Sequence, residues 1–200
     1  MGYRPIRTEK GYAFFEVASA LQKSIRRGEE ETALYFSVEL SNSGYDEYLW
    51  KRLKIITSED IGLAEPFMPA VIQALYEMYR DQKKKRDNQG SERLFLVHAV
   101  ILLCRARKSR LVDWTVISLW GEHEEKDILI PDYAYDKHTA RGRSMGRGLD
   151  HFYLEGTKLS NSVLLPGEEE RKKRAYDTEK RPARMNGLFP LAPDHREDTP

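Results

Sequence analysis

Apolar side chains in the first 120 residues return at helical spacing. Phe14, Val17, Ala18, Leu21 and Ile25 share one face of a predicted helix, with Arg26 and Arg27 at the negative end of its dipole and Gly28 closing it. A second run, Ala33, Leu34, Tyr35, Val38 and Leu40, stops at Ser41-Asn42-Ser43-Gly44, and a third, Tyr48, Leu49, Leu53 and Ile56, extends to Gly62. After Pro66 a fourth run places Phe67, Val71, Leu75 and Met78 on one face, then passes into a polar, basic stretch over residues 80–90. The fifth, residues 92–105, is apolar nearly all round and is expected to be the most buried. The sixth uses Leu111, Trp114, Ile117 and Trp120 up to Gly121. Nothing here alternates with period two, so the pattern predicts an all-α multi-helix bundle over residues 11–127, its first three helices antiparallel, behind a leader of residues 1–10.

Residues 128–165 change character, with Pro131, several aromatics, and Gly142, Gly146, Gly148 and Gly156 spaced among arginines. They predict an irregular basic appendix packed on the bundle, with one or two short helices. From Pro166 the chain becomes highly charged and then Pro-rich. Such a segment cannot offset an ordering cost of ~1 to 2 kcal/mol per residue, so a solvated helix leading into a disordered tail over 166–200 is expected.

Lys and Arg number 33 against 32 Asp and Glu, a net charge of +1, so attraction to a polyanion must come from local clustering. The single cysteine, Cys104, sits in an apolar run and reads as a small hydrophobe in a reducing compartment. That run, interrupted by His98, is too short to cross a ~30 Å hydrocarbon layer, and the N-terminus lacks a signal-peptide core. A cytoplasmic location with no membrane partner is the expectation.

The densest cationic cluster is Lys137, His138, Arg141, Arg143 and Arg147, where glycines let backbone approach a polyanion and guanidinium forks pair with phosphate oxygens. About four phosphate contacts would give a log-affinity slope of roughly −3 to −4 against log salt. The competing reading is that these arginines cap helices and pair with Asp132, Asp136, Asp150 and Glu155. Lys83, Lys84, Lys85 and Arg86 form a solvated run with an auxiliary DNA contact as the second reading. Asp136, His138, His151 and Glu155 are the candidates for a divalent metal that would activate water, His151 and Glu155 being one helical turn apart. The pattern is weak, and no metal and no cofactor are expected. His98 is expected to be a hydrogen-bonded core histidine, and Trp50, Trp114 and Trp120 core or interface anchors. Neither Cys104 nor any serine lies in a nucleophile elbow.

The stretch Ser58-Glu59-Asp60-Ile61-Gly62-Leu63-Ala64-Glu65-Pro66 follows the basic amphipathic run Lys51-Arg52-Leu53-Lys54-Ile55-Ile56 and marks a sharp break between helices. Ser58, Glu59 and Asp60 are expected to cap and to pair with a helix dipole rather than to catalyse. Together with Lys23-Ser24-Ile25-Arg26, Ala33-Leu34-Tyr35 and Ala106-Arg107-Lys108-Ser109, this stretch resembles the C-terminal domain of the AAA+ ATPases related to bacterial replication-associated recombination protein A (MgsA) and eukaryotic Werner-helicase-interacting protein. The resemblance spans residues 12–120 and keeps motif order, with Gly62, Pro66, Lys108 and Ser109 among its marks. It implies a clamp-loader-like helical collar that self-associates as a tetramer and serves DNA replication, recombination and repair. Its implied partners are DNA and an AAA+ ATPase or replication protein.

No Gly-x-x-x-x-Gly-Lys-Ser/Thr cradle occurs in the 200 residues, so this chain is not expected to hydrolyse ATP, and the ATPase module that precedes the domain in that family is expected to be missing. The leading expectation is therefore a non-enzymatic oligomerising and binding module. A metal-dependent nuclease or phosphohydrolase built on His138, His151 and Glu155, and a protein-only regulator of a host AAA+ ATPase, are the alternatives.

Overall fold

Six helices carry the first part of the chain in a computed structural model that describes residues 6–85 and 90–181: α1 (Phe14–Arg27), α2 (Glu30–Asn42), α3 (Asp46–Ile56), α4 (Met68–Lys85), α5 (Glu92–Arg105) and α6 (Leu111–Glu125). Residues 1–5, Arg86 of the basic run and the tail beyond 181 lie outside the described residues. Among the described residues there is no β-strand, only an isolated bridge between Arg7 and Ala13 in a turn that leads into α1, and the chain is all-α as its periodicity predicts. No helix is long and apolar enough to cross a membrane among these residues. The chain divides into two units, residues 1–126 and 127–200.

The first unit has one apolar core, in which Leu21, Ile25, Leu40, Leu49, Trp50, Leu53, Ile56, Ile61, Ile72 and Leu103 are fully covered. All five residues assigned to the inner face of α1 are buried. Gly28 ends that helix at φ +75°, and a Cβ there would stand 3.3 Å from the Cys104 carbonyl oxygen, so glycine suits the site twice over. Burial pushes the Cys104 thiol up to about 11, as expected of a cysteine packed as a small hydrophobe.

Four helices present a different face from the one their aliphatic residues suggest. On α4 the buried stripe is Met68, Ile72, Leu75, Tyr76 and Tyr79, while Phe67, Val71 and Met78 face outward. The tyrosines decide this: their rings pack on Trp50 at 5.4 and 5.2 Å, and their hydroxyls donate to Glu47 at 2.7 Å and Asp46 at 2.6 Å. On α2, Tyr35 and Val38 are exposed, and Ser37 and Glu39 are buried instead. The Glu39 carboxylate accepts the Lys10 N–H at 3.0 Å, and bonds from the Thr8 hydroxyl and that N–H hold it below the usual carboxylate range. A partner brought by the preceding turn thus outweighs the apolar choice. Helix α5 is buried on one side only, through Leu96, Ala99, Val100, Leu103 and Cys104. His98 is exposed on its outer face with Leu94 and Val97, so it is not a core histidine. Helix α6 has no buried residue and does not end at Gly121, its last turn being supported by a Glu122 to Lys126 pair at 3.1 Å.

The second unit relies on polar contacts. Its helices are α7 (Ala140–Ser144), α8 (Leu149–His151, continued by a wide turn at Phe152–Gly156) and α9 (Glu168–Glu179). The Thr139 hydroxyl caps α7 by accepting the Gly142 N–H at 3.0 Å, and Gly142 lies so close to the Asp136 backbone that no Cβ fits there. Within this unit α9 is tied by Lys137 to Glu179, by the Tyr153 hydroxyl to Glu179 at 3.1 Å, and by the Tyr176 hydroxyl to Asp150.

The reassigned face of α4 sets a test by chemical denaturation. Trp50→Ala is expected to destabilise the protein by ~3 to 5 kcal/mol and Phe67→Ala by less than ~0.5 kcal/mol. Similar losses for the two would contradict the register.

Candidate functional site

Helix α3 does not stop where the acidic stretch begins; it widens into a π-helical turn over Thr57–Ile61, and the chain then reverses at Gly62. Gly62 has φ +49°, and a Cβ would stand 3.2 Å from Val112 Cγ2 and 3.3 Å from the Ser109 carbonyl oxygen. Only glycine meets both the left-handed backbone and the close approach. The wide turn swings Asp60 inward, where it is fully buried.

Asp60 is the centre of a charged junction. Its carboxylate accepts Arg26 Nε at 2.6 Å and Gln22 Nε2 at 3.2 Å, and Arg110 Nε lies 3.6 Å from the same oxygen as Arg26 Nε. Glu59 accepts Arg26 at 3.0 Å and stands 3.5 Å from Arg110. Arg110 also pairs with Asp113, and its guanidinium lies over the Trp114 ring with the carbon 4.4 Å from the centroid. The bond from Asp60 raises the Arg26 pKa above its ordinary value, against the opposing effect of burial. The backbone joins as well: the Ser109 N–H donates to the Asp60 carbonyl at 3.0 Å, and the Arg107 N–H donates to the Glu65 carboxylate at 3.0 Å. Three stretches far apart in the chain, residues 22–26, 58–65 and 106–114, therefore meet at one point.

Lys108 completes the junction from the other side. Its ammonium donates to the carbonyls of Leu103, Cys104 and Ala106 at 2.8, 2.9 and 2.7 Å, satisfying the open end of α5, and burial lowers its pKa. The Ser109 hydroxyl accepts the Leu111 N–H at 3.3 Å at the start of α6.

The acidic stretch is structural, but not as a cap. No side chain caps the turn at Thr57–Ile61, because α3 runs into it unbroken and leaves no open N–H row to satisfy. Ser58 is exposed, Glu59 and Asp60 bind arginines, and Pro66 stands exposed just before α4. Both carboxylates are held in ion pairs with guanidinium groups.

What the junction positions is α6. Helix α6 packs on the π-helical turn and on the short turn after it, while its Trp114, Val116, Ile117, Leu119 and Trp120 are exposed, Trp120 with 72% of its surface. Gln22 and Arg110 were not singled out by sequence reading. The one signal for Arg110 is the spacing Arg110, Asp113, Trp114, which places three interacting side chains on one helical face.

The basic candidates divide into committed and exposed groups. Arg147 donates to both Asp132 carboxylate oxygens at 2.7 Å and to the Asp132 and Tyr135 carbonyls at 2.6 and 3.1 Å, and holds Asp132 below the usual carboxylate range. Arg143 donates to the carbonyls of Lys137 and His138 at 3.3 and 3.2 Å, and Arg141 bonds the Tyr135 hydroxyl at 3.1 Å and lies over its ring; both keep exposed side chains. Lys137 is paired with Glu179. Lys83 is paired with Asp46, Lys84 lies 4.0 Å from Asp81, and Lys85 is exposed at the end of α4. The candidate metal ligands are not gathered: His138 packs its ring on Phe152 and donates its backbone N–H to the Asp136 carboxylate at 2.9 Å, while Glu155 pairs with Lys158 at 2.6 Å. Among the described residues no three His, Cys, Asp or Glu side chains stand together as metal ligands.

Residues 28–186 match the family model described as the MgsA AAA+ ATPase C terminal. Similar proteins include replication-associated recombination protein A of Bacillus subtilis, 33% identical over 145 residues, covering 72% of this chain and 33% of that protein. The Haemophilus influenzae protein of the same name is 29% identical over 160 residues, 76% of this chain and 34% of that protein. ATPase WRNIP1 of Dictyostelium discoideum is 26% identical over 146 residues, 72% of this chain and 16% of that protein. The chain spans about a third of the length of the recombination proteins it matches.

The reversal at Gly62 gives a direct check. Gly62→Ala is expected to cost at least ~1 kcal/mol in denaturant unfolding, from the left-handed backbone and the contact with Val112; an unchanged midpoint would contradict the geometry.

Proposed function

The chain belongs to the family of MgsA-type AAA+ ATPase C-terminal domains, and on that premise we propose that it is a non-enzymatic module that joins copies of itself and binds DNA or an AAA+ partner in replication, recombination or repair. The observation that carries this reading is the apolar surface of α6. A 15-residue helix is marginal in water by itself, and this one has no buried residue. Five of its large apolar side chains, Trp114, Val116, Ile117, Leu119 and Trp120, are exposed, including two tryptophans, the residue type most enriched where partners bind strongly. Association covers them. By its resemblance the assembly has four copies, and the names of the relatives supply the setting at replicating and recombining DNA.

The DNA contact in this reading rests on Arg141 and Arg143, with Lys137 and His138 in the same unit; Lys85, at the end of α4, is a separate auxiliary contact. Arg147 and Lys83 serve the fold. The same α6 face fits a partner AAA+ ATPase, which is the second reading.

Sedimentation of the full chain is expected to show a multimer that Trp114→Ala with Trp120→Ala converts to a monomer of unchanged helicity. A strict monomer at high concentration would overturn self-association. In DNA titrations at several salt concentrations, Arg141→Ala with Arg143→Ala is expected to flatten the log–log slope by about 1.8, the value for two lost phosphate contacts. An unchanged slope and affinity would remove the DNA contact at these residues.

A further inference from the structure

An open groove of about 830 Å³ runs between α3 and α6, with Ile55, Tyr76, Val112 and Val116 as an apolar lining and Lys51 and Lys54 on one side. Acidic residues also border it, but each is already engaged: Glu47 by the Tyr76 hydroxyl at 2.7 Å, Glu59 by Arg26 at 3.0 Å, and Asp113 by Arg110. Lys54 rests its ammonium over the Tyr76 ring, 3.4 Å from the centroid, and among the described residues neither Lys54 nor Lys51 has a carboxylate in ion-pair range. The groove therefore calls for a ligand that is apolar along most of its length and carries a carboxylate.

One stretch of this chain has that composition and no covering of its own. Residues 127–130, Asp127-Ile128-Leu129-Ile130, follow α6 in an extended form, with Ile128 88%, Leu129 90% and Ile130 62% exposed. Among the described residues the backbone of 128–130 makes no hydrogen bond and Asp127 makes no ion pair. Glu124 and Glu125 immediately before it add negative charge.

We propose that residues 127–130 of one copy seat in the α3–α6 groove of a second copy, the isoleucines and leucine on the apolar lining and Asp127 toward Lys51 and Lys54. The inference rests on the self-association put forward above and deepens it. Helix α6 supplies Val112 and Val116 to the groove from its first half and delivers the segment from its far end; its 15 residues span about 22 Å. Two α6 helices laid antiparallel across a two-fold axis bring each segment beside the groove of the other copy, so the exchange is reciprocal and closes. The pairing also takes β-favouring, exposed side chains out of water, which an uncovered extended segment cannot do.

The test uses the full chain with the photo-reactive residue p-benzoylphenylalanine in place of Leu129, mixing unlabelled and ¹⁵N-labelled copies before irradiation and mass spectrometry. The expected product is a light–heavy cross-link between the segment and peptides containing Ile55 or Val116. Lys54→Glu is expected to lower its yield about tenfold, and adding Asp127→Lys to restore it, as reversal of a complementary pair does. Cross-links confined to light–light and heavy–heavy pairs, cross-links elsewhere, none at all, or a loss that the charge swap does not recover would overturn the inference. Sedimentation of the same samples separates the two ideas. A multimer without the light–heavy product overturns this inference and leaves association through α6 standing, whereas a monomer overturns both.

Discussion

A carboxylate with no access to water must be matched in charge, and Asp60 is matched by Arg26 from α1 and Arg110 from the start of α6. The pairing makes the junction obligatory. Removing either partner from a buried charge costs far more than an exposed ion pair contributes, so these three segments stay together or the bundle loses several kcal/mol. The π-helical turn and Gly62 exist to bring Asp60 inward, and Ser109, Lys108 and Glu65 lock the backbone around it.

That constraint explains how an apolar helix can stand away from the core. Helix α6 buries none of its side chains, yet its direction is set by Arg110, which reaches Asp60, Glu59 and Asp113 and lies over Trp114. In the proposed function, another chain covers Trp114, Ile117 and Trp120. The proposal of association rests on this apolar arm, and the junction fixes where the arm begins.

The all-α class and the inner face of α1 were legible because they depend on local periodicity alone. The acidic stretch, the Lys-Ser-Ile-Arg segment and Lys108-Ser109 were legible as marks of a family. Their meeting in space was not, since Arg26 and Asp60 are 34 residues apart and nothing local announces an ion pair across that distance. The face of α4 is not legible from its aliphatic residues, because Tyr76 and Tyr79 take the core with their rings while their hydroxyls reach Glu47 and Asp46. The exposure of His98 is not legible either, since a helix that is apolar all round in sequence is buried here on one side only. Among the basic residues, Arg147 looks like its neighbours in sequence, and only the fold shows that Asp132 claims it.

The measurement that bears most directly on this account is the response to Asp60→Asn, which keeps the shape of the side chain and removes its charge. Denaturant unfolding combined with amide hydrogen exchange is expected to show a loss of ~3 to 5 kcal/mol, with faster exchange concentrated in α6 and the turn before it. Wild-type stability with unchanged exchange in α6 would contradict the claim that the buried carboxylate holds the bundle and its exposed arm together.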